Sequence, residues 1–500
     1  MPTRQGGPVE SAHQSKSAAI RSRLNHPVID GDGHTLEMYP VFLDYLRSVA
    51  GAGVADRFAG SQSEAMMNMN WLGLSPAERR ERALMRPTWW PSPARNTLDL
   101  ATAMIPRLMR ERLDEMGLDV SVVYPTMGLL TINLADDELR CAATRALNVM
   151  KSEMFAGFTD RLIPVATIPM HTPAEAIAEL EHSVRHLGLR AIMMASYVRR
   201  PIAAAVKISP EAARWTYWMD TFGLDSEYDY DPVWAKCQEL RVAPTFHSIG
   251  YGWGSRASHS SYLHNHLGNF ASSADAVCRG LFLGGVPVRF PALRFAFMEG
   301  GVAWARNLYC ELISHWEKRN REAMENYNPA HIDRALFREL SARFGGSLIA
   351  GREDEIIAAY SRTSSRGADP TMIDEWAASG VRSPEDIYEL FTGRFYFGCE
   401  GDDPLNALAF DTKGSPFGAR LHAFYGSDIG HWDVPDMREA AEEAWELVED
   451  GIISEQDLCD FVFVNPARLW TAVNPDFFKG TVVESEVAKL LAGSGAVQAH

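Results

Sequence analysis

The sequence predicts an α/β protein built as a closed parallel (β/α)8 TIM barrel with helical insertions. Three observations lead there. Eight short apolar runs alternate with helical patterns along the chain, the signature of strands joined by crossover helices. No GxGxxG loop follows the first run, and Gly31-Asp-Gly33 does not supply one, which argues against an open doubly wound sheet. The length of 500 residues suits one barrel with insertions, and no internal repeat or low-complexity tract points elsewhere.

The elements follow in order. Val28-Ile29-Asp30-Gly31-Asp32-Gly33-His34 opens as an apolar pair and reads as the first strand. Residues 39–115 are patterned as helix and rich in aromatics, including Trp71, Trp89 and Trp90. Asp119–Pro125 is the second strand, with a helix near 135–158; Leu162–Thr167 is the third, with a helix from Pro173 to Leu187 that stops at Gly188. Leu189–Met194 is the fourth, followed by a linker containing Pro201 and a helix at 232–240. Ala243–His247 is the fifth strand and Leu293–Glu299 the sixth, each with a helix behind it, near 269–283 and 303–320. Residues 321–392 are charged and helical without a strand signal, and read as a cap or an oligomer contact. Arg394–Gly398 and Ala423–Asp428 are the seventh and eighth strands, and helices near 435–449 and 454–463 close the barrel, leaving 471–500 as an extension.

Composition narrows the function. Hydrophobic residues at 46% and charged residues at 23% describe an ordinary globular chain. A net charge of −17 argues against a nucleic-acid or anionic-membrane surface. No apolar run approaches the roughly 18 residues of a membrane span. Residues 1–25 lack the apolar core of a signal peptide and read as a mobile tail. Cys141, Cys237, Cys278, Cys310, Cys399 and Cys459 lie far apart without a CxxC pair, as expected of reduced thiols in a cytoplasmic protein.

The chemistry lies at the strand ends. Alternate residues of a strand share a face, so Asp30, Asp32 and His34 are expected to point the same way. In a barrel of this class the active site sits at the C-terminal ends of the strands. Strand one ends in Asp32 and His34, strand five in His247, strand six in Glu299 and strand eight in Asp428. A lone histidine at a strand end is usually a hydrogen-bonded core residue. Five metal-capable residues at four strand ends of one barrel are not explained that way. Two carboxylates and two imidazoles suffice for one divalent ion, and mixed N/O ligands suit Zn or Mn equally.

These motifs resemble the amidohydrolase-related proteins of the amidohydrolase superfamily, in the branch of aminocarboxymuconate-semialdehyde decarboxylase. The resemblance rests on Asp30-x-Asp32-x-His34, His247, Met298-Glu299-Gly-Gly, Tyr425-Gly-Ser-Asp428 and the closing Asn465-Pro-Ala-Arg-Leu-Trp470. It runs from about 26 to 318 and from about 394 to 470. It implies a distorted barrel, a metal held by Asp32, His34, His247 and Asp428, and Asp428 as the proton acceptor. Two departures matter. Many members carry His-x-His on the first strand, where this chain has Asp32-x-His34; the acid is similar to that of resorcylate and carboxyvanillate decarboxylases. Many also end strand six in a histidine, where this chain has Glu299. Strand four has no lysine to bridge two metals, so a mononuclear centre is expected.

The remaining assignments concern proton transfer and substrate. His431 can orient substrate, pass a proton or prop a neighbour, and Glu299 can act as acid, base or salt-bridge partner. Arg256 suits a carboxylate, His266 heads the helix after strand five, and Trp90 lies in a loop that could reach the pocket. Two reactions compete: hydrolysis of a C–N or C–O bond by a metal-activated water, favoured by the superfamily's habits, and non-oxidative decarboxylation of an aromatic or unsaturated acid, favoured by the strand-one acid. A barrel that has lost catalysis is a third reading, against which every expected ligand position holds a metal-capable residue. The expected partners are a small-molecule substrate and a second copy in a homodimer.

Overall fold

Runs such as Val120–Pro125 and Leu162–Ile168 are apolar at nearly every position. They suit strands covered on both faces, as parallel sheets are. The computed structural model describes residues 14–65, 71, 73–88, 94–249, 253–363 and 373–497. Its strands are β1 (Ile29–Thr35), β2 (Val120–Pro125), β3 (Leu162–Ile168), β4 (Ala191–Ala195), β5 (Val198–Pro201), β6 (Tyr217–Asp220), β7 (Pro244–His247), β8 (Phe295–Phe297), β9 (Phe395–Glu400) and β10 (His422–Gly426). Eight of them form one sheet in the order β1-β2-β3-β4-β7-β8-β9-β10, with every pairing parallel. Just past β10 the sheet returns to its start: Asp428 N donates to Asp32 O at 2.9 Å and His34 N to Ile429 O at 2.6 Å. The result is a distorted (β/α)8 barrel, as expected. Helices pack outside it through aromatic contacts; Trp234 of the helix Asp231–Leu240 meets Phe246 and Phe295 edge-on at 6.3 and 6.0 Å.

The structure corrects five readings. Residues 16–25 are not a tail: the helix Lys16–Arg21 is capped by Ser15, buries Ile20, and is tied by Lys16–Glu442 and Arg21–Asp119. One buried isoleucine among charges left little sequence signal. The linker after β4 contains the antiparallel hairpin β5–β6, held by a buried Arg200–Asp220 pair at 2.9 Å. The sixth strand stops at Phe297 and the eighth at Gly426, before Glu299 and Asp428. The fourth begins at Ala191.

Residues 39–65 and 97–116 are helical. Phe42, Leu46, Ala55 and Phe58 of the first group form a separate apolar cluster with Leu139, Leu147 and Met150 of the helix Asp137–Phe155. The 321–392 region carries no strand among the described residues. Beyond 471, Phe477 stacks on Trp470 at 5.2 Å. Among the described residues all six cysteines are free, and no helix is long and apolar enough to cross a membrane.

Candidate metal centre

The site is set by how β1 is anchored. Asp30 accepts from Asp32 N at 3.1 Å and Ser427 N at 2.9 Å, and Ser121 Oγ donates to its other oxygen. Contrary to the alternation argument, Asp30 does not join the cluster; it holds β1 to β2 and to the turn after β10. The register between β1 and β2 shifts between Asp30 and Gly33, and this irregularity breaks the strict two-residue period. Small residues make room for the carboxylates. A Cβ at Gly426 would lie 2.7 Å from Asp32 Cβ, and one at Gly33 would lie 2.6 Å from Asp30 Oδ2.

Six side chains converge above this anchor. His34 Nε2 is 3.5 Å from both Asp32 Oδ1 and Asp428 Oδ1. His247 Nε2 is 3.2 Å from Glu299 Oε2, and His431 Nδ1 is 2.7 Å from Asp428 Oδ1 and 3.2 Å from Glu299 Oε1. The His34 and His431 rings stack at 3.8 Å, and His247 stands edge-on to His34 at 5.2 Å. Potential ligand atoms fall into two overlapping groups, each within 4.8 Å: Asp32, His34 and His247; and His34, Glu299, Asp428 and His431.

These residues fit a divalent ion. Asp32 Oδ1, both His34 nitrogens, His247 Nε2 and Asp428 Oδ2 are buried without a hydrogen-bond partner, and buried polar atoms are rarely left so. Burial, aided by neighbouring histidines, holds His34 well below its usual pKa, and burial likewise lowers His247. Both imidazoles are therefore neutral and offer lone pairs. His247 Nδ1 lies 3.0 Å from Ser248 O; donation there leaves Nε2 free to ligate. Burial, then Glu299, raises Asp32 well above the carboxylate range. A cation would reverse that shift. β4 reads Ala191-Ile-Met-Met-Ala195, with no lysine for a second ion.

The backbone is strained where the chemistry is. Glu299 and Asp428 have φ of 55° and 51°, a region that non-glycine residues adopt seldom and at a cost of about 1–3 kcal/mol. Gly430, at φ 90°, lets the chain pass beside the His34 carbonyl and delivers His431 to the cluster. Burial alone would raise Glu299, but His247 and His431 outweigh it and bring its pKa to about 2. Burial would lower His431; Asp428 and Glu299 overcome it and hold the imidazole well above its usual value. Asp428 is raised by burial, with His431 opposing. Asp428 and His431 thus share a firmly held proton, while Glu299 is ionised.

The substrate-side assignments divide. His266 stands at the rim, its ring 5.4 Å from Phe270 and from Trp432 and 5.1 Å from Tyr262. Phe270 in turn meets His247 at 5.8 Å, so this aromatic group adjoins the cluster. Arg256, read as a carboxylate binder, donates through Nε to Leu267 O at 2.7 Å, and its guanidinium lies against Gly268. It fastens the junction between the helices Tyr262–His266 and Asn269–Leu283. Trp90 lies outside the described residues. Sequence reasoning missed Tyr124, whose ring is 6.0 Å from His34 and 6.1 Å from His247 and whose hydroxyl donates to Thr245 Oγ1 at 3.0 Å. Its signal was an aromatic at the C-terminal end of a barrel strand. Trp432 and Phe270 were missed too, because only folding brings them beside His266.

A barrel with metal-capable side chains at the ends of β1, β7, β8 and β10 defines a class, and comparison places the chain within it. Residues 85–355 match the family model described as amidohydrolase, and the chain belongs to that family. It is an enzyme, a hydrolase or a carboxy-lyase. The structure is similar to IDCase of Metarhizium anisopliae in apo form, with a TM-score of 0.50 and 13% identity, over 92% of this chain and 99% of that one. It is also similar to a dihydroxybenzoic acid decarboxylase from Polaromonas sp. JS666 with bound manganese and 2-nitroresorcinol, with a TM-score of 0.49 and 15% identity, over 91% and 99% of the two chains. For 5-carboxyvanillate decarboxylase of Sphingomonas paucimobilis the TM-score is 0.47 and the identity 15%, over 89% and 98%. No curated protein matches the sequence.

Proposed function

We propose that the protein is a metal-dependent, non-oxidative carboxy-lyase acting on an aromatic or unsaturated carboxylic acid. One observation supports this above others: a buried ligand set is joined to a continuous proton-carrying chain. Asp428, His431 and Glu299 follow one another at 2.7 and 3.2 Å, and even His431 has only 8% of its side chain accessible. Decarboxylation needs a proton at carbon and consumes no water, whereas hydrolysis needs water as a reactant. The sequence put hydrolysis first; the burial of the cluster supports the second reading instead. Decarboxylases recur among the structurally similar proteins, at a likeness too distant to carry the reading.

Asp32, His34, His247 and Asp428 would hold one ion, zinc or manganese, whose charge would neutralise the carboxylates and polarise substrate oxygens. The chain's own residues do the rest. The proton shared by Asp428 and His431 passes to the carbon that bears the substrate carboxylate. The bond to the carboxylate then breaks, its electron pair returns to the ring or double bond, and carbon dioxide leaves. Glu299, ionised and bonded to His431, keeps that imidazole oriented and ready to be reprotonated. Tyr262, His266, Phe270 and Trp432 offer ring faces and edges to a planar substrate.

The test is a product screen with metal-loaded enzyme. Hydroxybenzoic and other unsaturated acids are compared with small amides, esters and lactones. Carbon dioxide release from an acid is expected; a cleaved amide, ester or lactone with no carbon dioxide from any acid would overturn the proposal.

A further inference from the structure

The N-terminal end of the barrel, opposite the metal centre, carries a second polar cluster that the reaction does not use. Arg294 and Arg394 each immediately precede a strand, β8 and β9, whose first residues Phe295 and Phe395 are paired in register. The two arginines therefore lead into neighbouring strands at the same level, Arg394 as the last residue of the helix Pro384–Arg394. Like charges placed so are destabilising unless something lies between them. On the next strand His422 pairs with Tyr396, and the two rings stack at 4.6 Å. The helix Asn465–Thr471 closes this end: Asn465 Nδ2 donates to Ala423 O at 2.7 Å, its Oδ1 lies 3.3 Å from His422 Nδ1, and Arg468 of the same helix bears on Tyr396 and His422.

Arg294 hydrogen-bonds the buried Tyr396, and Arg394 and Arg468 lie near enough for their charges to bear on it. Arg294 donates to Leu293 O at 2.9 Å and Pro291 O at 3.2 Å. Arg394 Nε is buried with no hydrogen-bond partner. Among the described residues no carboxylate forms an ion pair with Arg294 or Arg394, although Asp and Glu pair with arginines widely elsewhere on this acidic chain. A fork of arginines with an unfilled donor is the geometry that accepts carboxylate or phosphate oxygens.

We infer that Arg294, Arg394 and Arg468, around Tyr396, form a binding site for a small oxyanion, a phosphate or a carboxylate, at the end of the barrel remote from the metal. The site is independent of the reaction proposed above. It is tested by isothermal titration calorimetry on full-length, metal-loaded enzyme, with inorganic phosphate and malonate in separate titrations at constant ionic strength and chloride as the control. One saturable site per chain is expected for at least one of the two anions, and the better binder tells a phosphate site from a carboxylate site. Arg394→Gln should weaken binding at least tenfold, about the worth of one charged hydrogen bond, with metal content unchanged. Arg294→Gln should do the same and serves if the first variant does not fold. An anion held at the metal instead would bind both variants as it binds the wild type. That result, or no binding beyond the chloride control, would overturn the site.

Discussion

Glu299→Gln separates a proton-transfer role from a structural one. The side chain is buried, with one oxygen 3.2 Å from His431 Nδ1 and the other 3.2 Å from His247 Nε2. Glutamine keeps the shape and removes the charge. A hydrogen bond to a charged partner contributes about 1.5–3 kcal/mol. If that is lost only where His431 must regain its proton, kcat falls about 10- to 150-fold. The metal should stay, because Asp32, His34, His247 and Asp428 hold it without Glu299. Metal content by mass spectrometry, Tm and kcat are measured on the same preparation. Full turnover with bound metal would refute the role in proton transfer, and loss of the metal would show Glu299 to be a ligand and refute the assigned set.

The other predictions concern the ligands, the cradle and one buried histidine. His247→Ala should lower metal content and abolish turnover; normal occupancy in that variant would remove His247 from the site. Gly426→Ala would place a methyl 2.7 Å from Asp32 Cβ, so metal affinity should drop at least tenfold while the circular dichroism spectrum is kept, and unchanged affinity would show that Asp32 is not a ligand. His171, with a buried unpartnered Nδ1, is lowered to about 3 by burial and by Arg140 and Arg200. An unfolded histidine titrates near 6.5, so the unfolded chain binds the extra proton first. The stability this gives is complete above pH 6.5 and is lost as pH falls towards 3, at about 1.4 kcal/mol per unit. Denaturation of His171→Leu across that range should show a shallower acid slope than the wild type, and parallel slopes would contradict the shift.

Much of this was legible in the chain because barrel strands are covered on both faces. Phe295-Ala-Phe297 and Ala423-Phe-Tyr425 have no solvent side to record, so an apolar run alone marks them. The metal-capable residues stood out because each follows such a run. What sequence could not show depends on contacts across hundreds of positions. Asp30 looks like a third ligand until Ser427 and Ser121 take its oxygens. Arg256 looks like an anion binder until Leu267 O takes its Nε. The hairpin β5–β6 is stabilised by one buried ion pair between Arg200 and Asp220, and neither residue alone signals a strand. The positive φ at Glu299 and Asp428 is likewise imposed by tertiary structure on residues whose own preference is against it.

The proposed reaction is tested most directly by running it in deuterium oxide. Metal-loaded enzyme is given the aromatic acid from which it releases carbon dioxide fastest, and the product is read by mass spectrometry and proton NMR. The account predicts one deuterium per product, at the carbon that carried the carboxylate, formed with one equivalent of carbon dioxide and abolished in Asp428→Asn. A product gaining the elements of water with no carbon dioxide, or deuterated product formed as fast by Asp428→Asn, would contradict it.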